Sequence, residues 1–122
     1  MSIGKNISKF PTAKRFSEGK KRVLVDIDET ICFFPKERRY DLAKPNFTNI
    51  DKINKLYNEG WEVIYWTARG PMTGNDYKEF TDSQLKKWKC KYHDLITGTS
   101  DKFPKPFYDM IIDDKAKRIE EL

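Results

Sequence analysis

Three things are scarce in this sequence: histidine, cysteines in a metal-binding pattern, and long apolar runs. The single histidine, His93, stands beside Tyr92 in a weakly apolar stretch and reads as a structural residue. Cys32 and Cys90 have no metal-ligand spacing, so two reduced thiols in a cytoplasmic protein are expected. No apolar run reaches the length of a membrane span or of a signal peptide, so no membrane partner is expected.

Charge, by contrast, is plentiful. Asp, Glu, Lys and Arg make up 35% of the 122 residues, against roughly 25% in typical domains. The apolar residues are clustered, which implies a folded chain with a highly charged surface. This length argues for one domain, large enough to bury roughly two-thirds of its unfolded surface. Lys and Arg outnumber Asp and Glu 24 to 19, and part of that excess precedes the first strand: Lys5, Lys9, Lys14, Arg15, Lys20, Lys21 and Arg22. Residues 1–21 read as a solvated basic leader and residues 22–122 as the domain. Nucleic acid is the alternative partner for such an arm. The positive field would also draw in an anionic substrate.

Four apolar segments read as strands: Arg22–Ile27, Glu62–Trp66, the weaker Tyr92–Thr97, and Tyr108–Ile112. The first, second and fourth are nearly continuous apolar runs, as parallel strands covered on both faces require. A helix is predicted over Asn46–Glu59, where Phe47, Ile50, Ile53 and Tyr57 recur at helical spacing; Asn46 caps it and Gly60 ends it. A second is predicted over Asp82–Lys89, with Thr81 and Gln84 as a capping box and Phe80 and Leu85 as its staple. A short terminal helix is predicted over Lys115–Glu121. Such alternation implies a parallel α/β sheet with right-handed crossovers, which binds ligands at the carboxyl ends of its strands.

Polar residues collect at those ends. Asp26 and Asp28 follow the first strand, Thr67 the second, and Asp113 and Asp114 the fourth; Lys102 and Lys105 precede the fourth. The chemistry they suggest is phosphoryl transfer through an aspartyl phosphate. Asp26 would attack phosphorus, and Asp28 would protonate the leaving oxygen and then deprotonate water. Crowded carboxylates raise each other's pKa, and a hard divalent cation relieves this. Mg2+ is the expected cofactor, held by Asp26, Asp28 (through a nearby backbone carbonyl) and one of Asp113 and Asp114. Thr67 and the backbone at Ala68 would hold phosphate oxygens, with a lysine offsetting transition-state charge.

This combination resembles the haloacid dehalogenase superfamily of phosphohydrolases. Its DxDx[TV] motif matches Asp26-Ile27-Asp28-Glu29-Thr30, its Ser/Thr motif matches Thr67, and its acidic pair matches Asp113-Asp114. The resemblance covers about residues 22–115. It implies a three-layer Rossmann-like domain with a small parallel sheet and no large cap domain. It also implies a motif-three lysine, best matched by Lys105, with Lys102 as the alternative. The stretches Tyr65-Trp66-Thr67-Ala68-Arg69-Gly70 and Lys105-Pro106-Phe107-Tyr108-Asp109 look like small members associated with capsular polysaccharide synthesis. That implies a sugar phosphate or similar small ester as substrate. Many members carry Gly where Glu29 stands, although Glu occurs in the branch that dephosphorylates RNA polymerase tails.

The only segments available to shape the site are Ile31–Lys44 and Pro71–Tyr77, both read as short loops. Phe33, Phe34, Arg38, Arg39 and Tyr40 could touch a substrate. A site this open suits a large or exposed ester, or closure by a second subunit in a homo-oligomer. Arg69 reads equally as an anion binder or a rim salt bridge, and Trp61, Trp66 and Trp88 as packing residues. Competing functions are a nucleotidase, a phosphoprotein or polynucleotide-end phosphatase, and a non-catalytic binding relative. A phosphate-accepting receiver domain is disfavoured, because its acidic pair follows the first strand, whereas here the pair comes last.

Overall fold

A four-residue strand lies at the centre of the sheet. The computed structural model describes residues 20–69, 77–98 and 107–114. Along the chain the elements are β1 (Arg22–Val25), β2 (Cys32–Phe33), a 3-10 turn (Tyr40–Leu42), β3 (Lys44–Pro45), α1 (Phe47–Asn58), β4 (Glu62–Trp66), α2 (Lys78–Lys87), β5 (Asp94–Ile96) and β6 (Met110–Ile112). The main sheet has the order β5-β4-β1-β6 and is parallel throughout. This is a small Rossmann-like α/β architecture. β1 is buried along its whole length, as a central parallel strand must be.

Strand alternation divides the core in two. Val23, Val25, Val63, Tyr65 and Leu95 join Ile50 and Ile53 of α1, and Leu85 of α2 with Trp88 beyond its end, in one cluster. Leu24, Ile64 and Ile96 form the other, with Trp66, Tyr108 and Ile111 packed against them. Both described helices therefore pack on the same face of the sheet. The expected helix over 115–121, like most of the leader, lies outside the described residues. Each fully buried aliphatic side chain contributes about 1.5–3 kcal/mol over an exposed one.

α1 forms as its pattern predicts. The Asn46 side chain accepts from the Asn49 N–H at 3.1 Å, and the chain leaves the helix through Gly60 at φ +102°. β4 has the predicted bounds. β1 stops at Val25 rather than Ile27, because the chain turns: the Thr30 and Ile31 N–H groups both donate to the Ile27 carbonyl. That turn sets Glu29 at φ +69°, a conformation glycine adopts at little cost, so glycine would suit this position.

Two expectations need correction. α2 begins at Lys78 rather than Asp82, and Thr81 is not its cap. Thr81 lies inside the helix, fully buried, and its hydroxyl accepts from Arg69 Nη1. The spacing that reads as a capping box instead places Thr81 and Gln84 on one helix face around a guanidinium. Nor is Ile31–Lys44 a plain loop. β2 lies within it and pairs antiparallel with β3 at its end, two residues each, and the 3-10 turn carries Tyr40 toward α2.

Candidate active site

The sheet register brings the first and last acids together. The Asp26 N–H donates to the Ile112 carbonyl at 3.0 Å, extending the β1–β6 ladder by one step. Asp113 and Asp114 follow immediately. The Asp114 N–H donates to Thr30 Oγ1 at 3.1 Å, so the threonine that closes the first motif also pins the acidic pair. One carboxylate oxygen each from Asp26, Asp113 and Asp114 lies within 4.8 Å of the others.

That crowding has an electrostatic consequence. Burial first, and then the Asp113 carboxylate, push the Asp26 carboxyl up to about 6; Asp28 and Asp114 add in the same direction, against the Ile27 N–H. A divalent cation fits this donor set on chemical grounds: three hard carboxylate oxygens converge, and their mutual repulsion favours a positive charge between them.

Asp28 sits differently. Its oxygens accept from Arg69, Oδ1 from Nη2 at 2.7 Å and Oδ2 from Nε at 3.2 Å. The Cys32 thiol approaches Oδ1 at 3.6 Å, and burial, ahead of the Asp28 charge, pushes that thiol up to about 12. Cys32 and Cys90 are both buried and free. The Asp28 carboxylate is not part of the cluster formed by the other three acids.

Thr67 is buried just past β4. Its N–H donates to the Ile96 carbonyl, and its Oγ1 accepts from the Arg69 N–H. Thr67 also lines the cleft that holds the acids. That cleft, of about 360 Å³, is lined by Asp26, Asp28, Thr67, Ala68, Asp113 and Asp114, with Arg38, Tyr40 and Arg69 completing the wall. Six site residues expected from sequence thus share one cleft. Lys105 and its alternative, Lys102, lie outside the described residues. Of the residues in the segment Ile31–Lys44, Arg38 and Tyr40 reach the cleft, while Phe33, Phe34 and Arg39 do not line it. Arg38 pairs with Glu29 at 3.2 Å and lies over the Phe34 ring.

Arg69 is the residue whose importance sequence reasoning underestimated. Its side chain is fully buried against Asp28, with Thr81 and Gln84 accepting from Nη1 and the Tyr40 ring 4.4 Å from its guanidinium carbon. A signal for this existed: Arg69 lies two positions past Thr67, hence on the same side of an extended chain. His93 is structural, as expected. Its Nδ1 accepts from the Val63 N–H, and its ring stacks on Tyr57.

A larger groove of about 850 Å³ runs along α2 and the start of β5, and shares no lining residue with the acidic cleft. Among the described residues no helix is long and apolar enough to cross a membrane.

No protein-family model and no curated protein matches the chain. Among solved structures it is similar to an MCSG target from Vibrio cholerae, at 24% identity and a TM-score of 0.58, over 83% of this chain and 85% of that one. It is also similar to a chain of the Pnkp1/Rnl/Hen1 complex, at 20% identity and a TM-score of 0.55, over 78% of this chain and 33% of that one. A chain of the Pnkp1/Rnl/Hen1 RNA repair complex matches at 18% identity and a TM-score of 0.54, over 75% of this chain and 30% of that one. At these identities the likeness is one of fold.

Proposed function

We propose that this chain is a cytoplasmic, magnesium-dependent phosphohydrolase of haloacid dehalogenase type, acting through an aspartyl phosphate. The observation that carries this is the convergence of Asp26, Asp113 and Asp114 at the carboxyl end of a parallel sheet, with Asp28 held apart on Arg69. Asp26 would hold the cation together with Asp113 and Asp114, and the cation would offset their charge and screen the approach of an anionic phosphate.

The chain's own groups do the rest. An Asp26 oxygen bonds to phosphorus as the bond to the ester oxygen breaks, and Asp28 gives that oxygen its proton. Water then attacks phosphorus, its proton passes to Asp28, and the P–O bond to Asp26 breaks. Inorganic phosphate leaves and both aspartates are restored. The Thr67 hydroxyl donates to a phosphate oxygen, with the backbone at Ala68 beside it. Lys105 is assigned the motif-three role by resemblance.

A sugar phosphate or similar small ester is the substrate class this reading favours, in keeping with the resemblance to capsule-associated members. A second reading is phosphate removal from a polynucleotide end. It draws on the likeness to a complex described as an RNA repair complex, and on the basic leader. Phosphate release from sugar phosphates, nucleotides and a 3′-phosphorylated oligonucleotide, each with magnesium and with chelator, separates the two. Turnover of the oligonucleotide alone would displace the first reading in favour of the second. No magnesium-dependent release from any ester, an activated aryl phosphate included, would remove both.

A further inference from the structure

A fully buried guanidinium is costly unless its donors are met. In Arg69 four of the five N–H donors are engaged: two on Asp28, one on Thr81 and one on Gln84. Its backbone is held as well. The Arg69 N–H donates to Thr67 Oγ1 at 3.3 Å, and its carbonyl accepts from the Gly98 N–H at 3.0 Å. The Tyr40 ring closes over the guanidinium, and the Gln84 amide donates to the Tyr40 carbonyl at 2.8 Å, tying the 3-10 turn to α2. Arg69 is thus built to hold something other than substrate. What it holds is the carboxylate two residues from the nucleophile.

We infer that Arg69 is a positioning residue that fixes the Asp28 carboxylate for activation of the hydrolytic water, with Tyr40 as the ring that keeps Arg69 in place. This rests on the phosphohydrolase reading above. A general base works only within hydrogen-bond reach and in a fixed orientation. The two-point contact with Arg69 sets the plane of the Asp28 carboxylate, and Asp28 lines the cleft. In the step concerned, water oxygen bonds to phosphorus, the P–O bond to Asp26 breaks, and the water proton goes to Asp28. The positions of Thr81 and Gln84, three apart on α2, are explained by the same device.

An aryl phosphate isolates that step, because its leaving group departs without needing a proton from Asp28. Pre-steady-state release of the aryl alcohol from Arg69→Met should show a burst approaching one equivalent per protein. A steady rate about 100-fold or more below wild type should follow, as the loss of a positioned base predicts. Arg69→Lys, which retains the cation but not the two-point contact, should show the same burst with a partly restored steady rate. Tyr40→Leu should shift the steady rate in the same direction by less. A merely structural role would slow both phases together and abolish the burst. That outcome, or unchanged turnover, overturns the inference while leaving the phosphohydrolase reading intact. If Arg69→Met does not fold, the burst measured on Arg69→Lys decides. A wild-type protein that turns over no ester in magnesium overturns both.

Discussion

Two buried ion pairs stand at opposite ends of β1 and β4, and they behave differently. At the lower end Arg22 and Glu62 are register partners across the ladder, joined Nε to Oε1 at 2.9 Å, with Arg22 Nη1 also donating to the Phe107 carbonyl. At the upper end Asp28 and Arg69 meet beyond the strands at 2.7 Å. Burial is similar, with side-chain exposures of 9% and 5% below and 10% and 0% above. What differs is the company. Below, a guanidinium faces one carboxylate within the sheet, and the Asp109 carboxylate accepts from the Arg22 backbone N–H. Above, Asp26, Asp113 and Asp114 share a cleft with the pair, and the cationic side chains described there are committed, Arg69 to Asp28 and Arg38 to Glu29. A buried ion pair alone does not mark a site. What sets the upper end apart is the excess of carboxylates beside the pair.

The comparison can be broken most forcefully at Asp26. Asp26→Asn should lower turnover by about 10⁴-fold or more, while the circular dichroism spectrum and melting transition remain those of a folded protein. A variant that retains turnover would remove Asp26 from the chemistry.

At the other end the effect should fall on stability. Glu62→Ala leaves Arg22 charged and buried, so denaturant unfolding should show a loss of about 3–5 kcal/mol. The rate per folded molecule should be unchanged. A large change in that rate would mean that the two ends are not distinct in function.

The third contrast is in pH dependence. Asp26 is pushed up to about 6 in the folded chain, from an ordinary value of about 3.9. Its contribution to stability is therefore full below about pH 4 and is lost as pH rises through about 6. Metal-free wild type should lose melting temperature relative to Asp26→Asn across that window, and magnesium at higher pH should restore it in wild type only. A melting difference that does not vary with pH would count against the crowded cluster.

The smallest effect expected is at the start of α1. Asn46→Ala removes the cap on the Asn49 N–H, and thermal melts should report a loss of about 1 kcal/mol. No measurable loss would show that the tertiary packing of Ile50 and Ile53 alone sets that helix boundary.

Much of this was legible in the sequence, for identifiable physical reasons. β1, β4 and α1 announce themselves through continuous apolar runs and 3.6-residue spacing, signals that tertiary contacts reinforce. The acids at the strand ends follow from parallel topology. The start of α2 was misplaced because polar residues three apart look alike whether they cap a helix end or surround a buried cation. The β2–β3 pair is two residues long on each side, too short for alternation to register. The separate lodging of Asp28 depends on the turn at Glu29 and on Arg69, 41 residues away in the chain, and no local pattern reports that. Lys105 and the terminal helix fall outside the described residues.

The central claim is that Asp26, in a cluster made for a cation, takes the phosphoryl group. The most direct measurement is acid quench of the protein turning over an aryl phosphate in magnesium, followed by location of the retained phosphate by mass spectrometry. The account predicts a single acid-stable phosphoryl group on Asp26, absent with chelator and more abundant in Arg69→Met. Phosphate found on another residue, or turnover that persists undiminished in Asp26→Asn, would contradict it.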